Sequence, residues 1–148
     1  MPLTDFISTE GQQRIARAIA LAEQHTSGEI CVHVTPKCHG EAMETAKRKF
    51  QELGLCNTRR RNAVLIYVAY IDRKFAILGD SGIDKAVPLD FWHTEKETLA
   101  RYLADHRQVD GLCEVVRQIG DSLAAYFPAS RADINELSNE VTYDEDDD

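Results

Sequence analysis

Eight consecutive apolar or aromatic residues, Ala63 to Tyr70 (AVLIYVAY), constrain this chain more than any other stretch. Side chains of a β-strand alternate between two faces, so a run with no charged or amide side chain needs cover on both sides and reads as a strand buried in the middle of a domain. Ile71-Asp72-Arg73 is short enough for a tight turn, and Lys74 to Leu78 returns as an antiparallel partner. Upstream, Glu29 to Thr35 alternates Ile30, Val32 and Val34 against Cys31, His33 and Thr35 until Pro36 ends the strand. Between these two strands Met43, Ala46, Phe50 and Leu53 share one helical face, and Gly54 stands where a left-handed C-terminal residue is wanted. A strand–helix–strand unit makes a parallel pair with a right-handed crossover, so the sheet is mixed.

The flanking segments supply its cover. Ser8 and Thr9 offer N-cap oxygens ahead of Ile15, Ala18, Ile19 and Ala22, and that helical face stops at His25-Thr26-Ser27-Gly28. After Pro88 come two long helices. One carries Trp92, Leu99, Tyr102 and Leu103; the other carries Leu112, Val115, Val116, Ile119, Leu123 and Phe127, with Asp110 as its expected N-cap and Pro128 as its end. About four helices around a short mixed sheet make an α/β domain, a three-layer α/β/α sandwich. At 148 residues and 43% hydrophobic content, one domain over residues 1–128 is expected. The remainder, 129–148, ends in the acidic block Asp144 to Asp148, which repels itself and is expected to be a disordered tail.

Bulk properties narrow the function. A formal charge of −8 disfavours non-specific attraction to nucleic acid or anionic lipid. Neither a basic leader followed by an apolar run nor an uncharged apolar span of roughly 20 residues is present, so a cytoplasmic chain without membrane insertion is expected. Cys31, Cys38, Cys56 and Cys113 form no CxxC pair and read as free thiols.

The topology also gathers loops. The first two strands start at one end of the sheet and the third finishes there, which brings the loop Gly79 to Lys85 toward Ser27-Gly28-Glu29 and Arg59-Arg60-Arg61-Asn62. Asp80, Asp84 and Glu29 are therefore candidate ligands for a hard divalent cation, calcium or magnesium, with Ser81, Asn62 and loop carbonyls as further oxygen donors. The plainer alternative has Asp80 and Asp84 capping the following turn while the arginines, Arg61 among them, neutralise them. Two carboxylates would repel a phosphate unless a cation bridged them. The letters Gly79-Asp80-Ser81-Gly82 also surround the nucleophile of chymotrypsin-like proteases, but that mechanism needs His and Asp partners on a β-barrel, so Ser81 reads as a chance match. Cys31, His33, Cys38 and His39 form a second cluster whose spacing fits no standard zinc finger or ribbon; packing or surface roles are the expectation.

Several of these segments resemble the TPM-domain family: Thr26-Ser27-Gly28-Glu29-Ile30 at the first strand, Asn62-Ala63-Val64-Leu65 at the second, Asp72-Arg73 in the hairpin, Gly79 with Gly82-Ile83-Asp84 in the glycine loop, and Asp110-Gly111 before the last helix. The resemblance spans about residues 8 to 127 and implies an α/β/α sandwich, calcium binding by an acidic patch in some members, and a phosphatase label. The glycine loop is one residue longer than the family pattern, so the carry-over to Asp80 and Asp84 is approximate. Three functions stand as expectations: a metal-binding module; a metal-dependent phosphatase in which an arginine of Arg59 to Arg61 steadies the ester; and a non-catalytic module whose acidic surface and tail recognise a basic protein partner.

Overall fold

The computed structural model describes residues 2–129 and 139–144. In chain order the elements are α1 (Leu3–Phe6), α2 (Thr9–Glu23), β1 (Glu29–Thr35), α3 (Ala42–Glu52), a 3-10 turn (Leu55–Asn57), β2 (Ala63–Ala69), β3 (Lys74–Gly79), α4 (Ser81–Asp84), α5 (His93–Ala104), α6 (Gln108–Ala124) and β4 (Thr142–Tyr143). The sheet order is β3-β2-β1-β4. β1 and β2 run parallel from Glu29↔Ala63 to Thr35↔Ala69, and β2 and β3 form the antiparallel hairpin from Val64↔Gly79 to Ala69↔Lys74. The mixed sheet and its helical cover are those expected from the apolar run and its neighbours.

Alternation along β1 and β2 sorts the core into two layers. Ile30, Val32, Val34, Val64, Ile66 and Val68 face α2, α5 and α6 through Ile15, Ile19, Leu99, Leu112, Val115 and Ile119. Cys31, Leu65, Tyr67 and Ala76 face the opposite way, against Ala46 and Phe50 of α3. The cover is unequal: three long helices shield one face and a single one the other. Two loop positions have the backbone their residue type predicts. Ser8 Oγ accepts from Gly11 N–H at 3.0 Å as the N-cap of α2, and Gly54 sits at φ 71° just beyond α3.

Two expectations need correction. Asp110 is not the N-cap of α6, which starts at Gln108 with Arg107 at the N-cap; Asp110 lies in the first turn, where its carboxylate takes Arg14 at 3.0 Å and Arg107 at 3.3 Å. At the start of this helix the Gln108 side-chain amide donates to Phe6 O at 2.7 Å. The stretch assigned to a disordered tail contains β4, which pairs parallel with β1 through His33↔Thr142 and Val34↔Tyr143. Charge alone predicted disorder, but Val141 is buried in the main core and Asp144 N–H donates to Val34 O at 3.0 Å. Residues 130–138 and 145–148 of the expected tail lie outside the described residues. Among the described residues no helix is long and apolar enough to cross a membrane.

A candidate cation cleft at the edge of the sheet

Strand register brings the three loops to one end of the sheet. Glu29 N–H donates to Asn62 O at 3.3 Å, and Asp80 N–H donates to Ala63 O at 2.9 Å, so Glu29, Ala63 and Asp80 stand in a row across β1, β2 and the end of β3. Asp80 is the N-cap of α4: its Oδ1 accepts from Ser81 N–H at 2.7 Å. The same carboxylate is gripped by Arg61, with Nε donating to Oδ2 at 2.6 Å and Nη2 to Oδ1 at 2.8 Å. This fork-to-fork geometry is the strong form of a charge pair, and the hydrogen bond and charge of Asp80 raise the pKa of the guanidinium further. Asp80 is 6% exposed at its side chain, whereas that of Arg61 is 49% exposed. The plainer alternative of the sequence, a cap neutralised by an arginine, therefore describes Asp80 well.

Gly82 makes this arrangement possible. Its N–H donates to Arg61 O at 2.8 Å, and a Cβ added there would come within 2.4 Å of Arg60 O and 2.6 Å of Arg61 O. The loop before β2 can lie against α4 only where no side chain intervenes.

The cleft, about 520 Å³, runs along the outer edge of β3 between α3 and the start of α5, and Arg61, Asp80, Ser81, Asp84, Lys47 and Lys96 line it. The two lysines were not singled out in the sequence. A signal was present: Lys47 follows Met43 and Lys96 follows Trp92 by four residues, and residues four apart stack on one helical face, so each lysine stands one turn beyond an apolar side chain directed at the sheet.

Glu29 and Asn62 do not line this cleft. Two strand spacings separate Glu29 from Asp80, about 10 Å between Cα atoms, because β2 lies between them. Asn62 instead turns its amide to Ser27 Oγ at 3.3 Å. Glu29 is 4% exposed and close to Glu23, whose carboxylate accepts from Ile30 N–H at 2.9 Å. Burial pushes the Glu23 carboxyl up to about 7, with the charge of Glu29 adding to the shift. Among the described residues no three or more His, Cys, Asp and Glu side chains gather as a metal-holding group, so Asp80 and Asp84 stand without a third carboxylate.

The cysteine–histidine cluster is likewise dispersed. Burial pushes the Cys31 thiol up to about 12, Cys38 Sγ donates to Thr45 Oγ1 at 3.4 Å, and His39 is exposed. His33, 1% exposed, stacks on Tyr67, meets Thr142 Oγ1 through Nδ1 at 2.8 Å, and has Nε2 3.1 Å from Asp144 Oδ2. It fastens β4, and its pKa is lowered by burial against the opposing pull of Asp144.

Comparison with known proteins agrees with this architecture. The family model described as the TPM domain matches residues 2–122. Among solved structures, the NMR structure of the BA42 protein from the psychrophilic bacterium Bizionia argentinensis is similar over 94% of this chain and 96% of that one, at 37% identity and a TM-score of 0.89. No curated protein sequence matches.

Proposed function

The chain belongs to the TPM-domain family, and from that premise we propose that the cleft beside β3 binds a divalent cation, magnesium or calcium, through Asp80 and Asp84 with Ser81 as a further oxygen donor. The observation that carries this reading is that Asp80, Ser81 and Asp84 line one cleft, where the buried Asp80 carboxylate already holds a positive charge, the guanidinium of a side chain half in solvent. Two carboxylates, a hydroxyl and waters suit the magnesium manner of coordination better than the crowded oxygen cage calcium prefers. Affinity is expected to be weak, because the ion competes with Arg61 and meets the positive field of Lys47 and Lys96.

Titration of the full chain with magnesium and calcium chloride, followed by amide NMR shifts, tests this. Shifts confined to 80–85 and 59–62 are expected, with affinity rising at least tenfold in Arg61→Ala and falling in Asp84→Asn. Absence of shifts in both wild type and Arg61→Ala would end the reading.

One further observation favours a phosphate ester as substrate of the same cleft: Lys47, Lys96 and Arg61 line it together with the carboxylates. A bound divalent ion would there supply a Lewis acid for metal-assisted hydrolysis, while the three cationic side chains would hold and orient the ester oxygens. Magnesium-dependent turnover of a generic phosphate ester by wild type and its loss in Asp84→Asn is the expected pattern; cation binding without turnover would leave a binding module.

A further inference from the structure

We propose that the groove at the opposite end of the sheet is a second binding site, one that takes a small planar aromatic anion. This groove encloses about 960 Å³ between α1, the β2–β3 hairpin and the end of α5. It is separated from the cation cleft by the length of β2, seven residues or about 23 Å. Its volume lies at the upper end of small-molecule sites, which span about 300–1,000 Å³.

The lining specifies the ligand's body. Phe6, Tyr70, Phe75 and Leu103 border the groove, and Phe6 stacks on Tyr70 with ring centroids 4.8 Å apart and planes 14° from parallel. Three aromatic rings favour a flat aromatic partner, which can join offset-stacked or edge contacts, over a strongly hydrated inorganic ion.

The rim specifies its charge. Arg73, Lys74 and His106 stand around the groove against the single carboxylate of Asp5. In a chain of net charge −8 this local excess of basic groups runs against the average and favours an anion at short range. Lys74 uses one of its three N–H groups on Gly40 O at 3.1 Å, and no hydrogen bond or ion pair of the Arg73 or His106 side chain occurs among the described residues.

Backbone geometry is the independent observation. Among the described residues three non-glycine residues have positive φ: Arg61 at 52°, Arg73 at 56° and His106 at 58°. Glycine or asparagine adopts this conformation with less strain, so an arginine there carries a conformational cost, while His106 takes it as the residue just past the C-cap of α5. At Arg61 the side chain visibly serves a cleft, through its grip on Asp80. Arg73 and His106 share the positive φ and both border the second groove.

The test uses anilinonaphthalene sulfonate, an aromatic anion, beside its uncharged counterpart phenylnaphthylamine, on the intact chain. Fluorescence gives affinity and amide NMR gives location. The sulfonate is expected to shift residues 68–75 and 100–106. Arg73→Glu is expected to weaken its binding at least tenfold and leave the neutral compound unaffected. Arg73→Gly relieves the positive φ and keeps the fold, so its weaker sulfonate binding, also expected, cannot come from unfolding. Shifts elsewhere, no binding up to millimolar concentration, or unchanged affinity in both variants would overturn the proposal.

Discussion

Replacing Gly82 by alanine isolates the contact on which the cation cleft is built. The new methyl would lie 2.4 Å from Arg60 O and 2.6 Å from Arg61 O, where ordinary contact begins near 3.4 Å, so the loop before β2 must retreat by about 1 Å. The obstacle is backbone and not a side chain that can swing aside. Overpacking of this kind costs about 1–3 kcal/mol, and the Gly82 N–H bond to Arg61 O, 2.8 Å long, contributes about 1 kcal/mol more when lost. The expected destabilisation is about 2–4 kcal/mol, or a fall in Tm of roughly 10 °C for a chain of this size. Urea unfolding followed by the fluorescence of Trp92, the one tryptophan, buried and lining the cleft, measures it. The Arg61 Nε–H resonance should at the same time move toward its solvent-exposed position as the pair with Asp80 loosens. Gly79→Ala is the control: the nearest atoms to its Cβ belong to the Ile83 side chain, at 3.0 to 3.1 Å, and the change should cost less than half as much. A loss at Gly82 below about 1 kcal/mol, or equal to that at Gly79, would refute the claim that close backbone approach makes glycine necessary here.

Other outcomes follow from the buried titratable groups. Glu23 has its folded pKa raised from 4.5 to about 7, so the folded state holds the extra proton between those values and stability falls as pH rises through that window. Glu23→Gln should abolish this slope and raise stability at pH 8 by about 1–2 kcal/mol, a figure reduced for the solvent that reaches the carboxyl; denaturant midpoints from pH 4.5 to 8 check it. His33 shifts the other way: with a folded pKa below the ordinary value of 6.5, it contributes stability above that value which is lost as pH falls below it. His33→Ala should unfasten β4, seen as lost hydrogen-exchange protection at the Asp144 amide, while protection in β2 persists. Gly120→Ala should cost about 1–3 kcal/mol by denaturant unfolding, because its Cβ would lie 2.7 Å from that of Ala22 and force α2 and α6 apart.

Local pattern carried much of the architecture. The unbroken apolar run at 63–70 required a doubly covered strand, the three-residue turn after it required a hairpin, and helical spacing at Ile15, Ile19 and Leu112 to Leu123 marked the covering faces. Burial periodicity is a property of neighbouring residues, so it survives in the sequence alone. The association of Asp80, Asp84, Ser81 and Arg61 with one cleft was also within reach, because the direction of three strands fixes which loops share an end of the sheet.

What the linear pattern could not resolve was lateral distance. Loops that share an end of the sheet need not touch, and the strand order β3-β2-β1 puts β2 between Glu29 and Asp80. Glu29 lies instead near Glu23, whose pKa its charge helps to raise, while the edge position of β3 lets helices from both layers bring Lys47 and Lys96 to the cleft. β4 escaped notice for a similar reason: its two residues pair with a strand more than a hundred positions earlier, held by Val141 in the core and by Asp144 beside His33. Thus the sequence by itself determined the three long strands and four long helices, their faces and the end of the sheet where the loops meet. Tertiary structure alone decided which charged groups come within a few ångströms, because contact energies depend on separation across the sheet, which spacing along the chain does not encode.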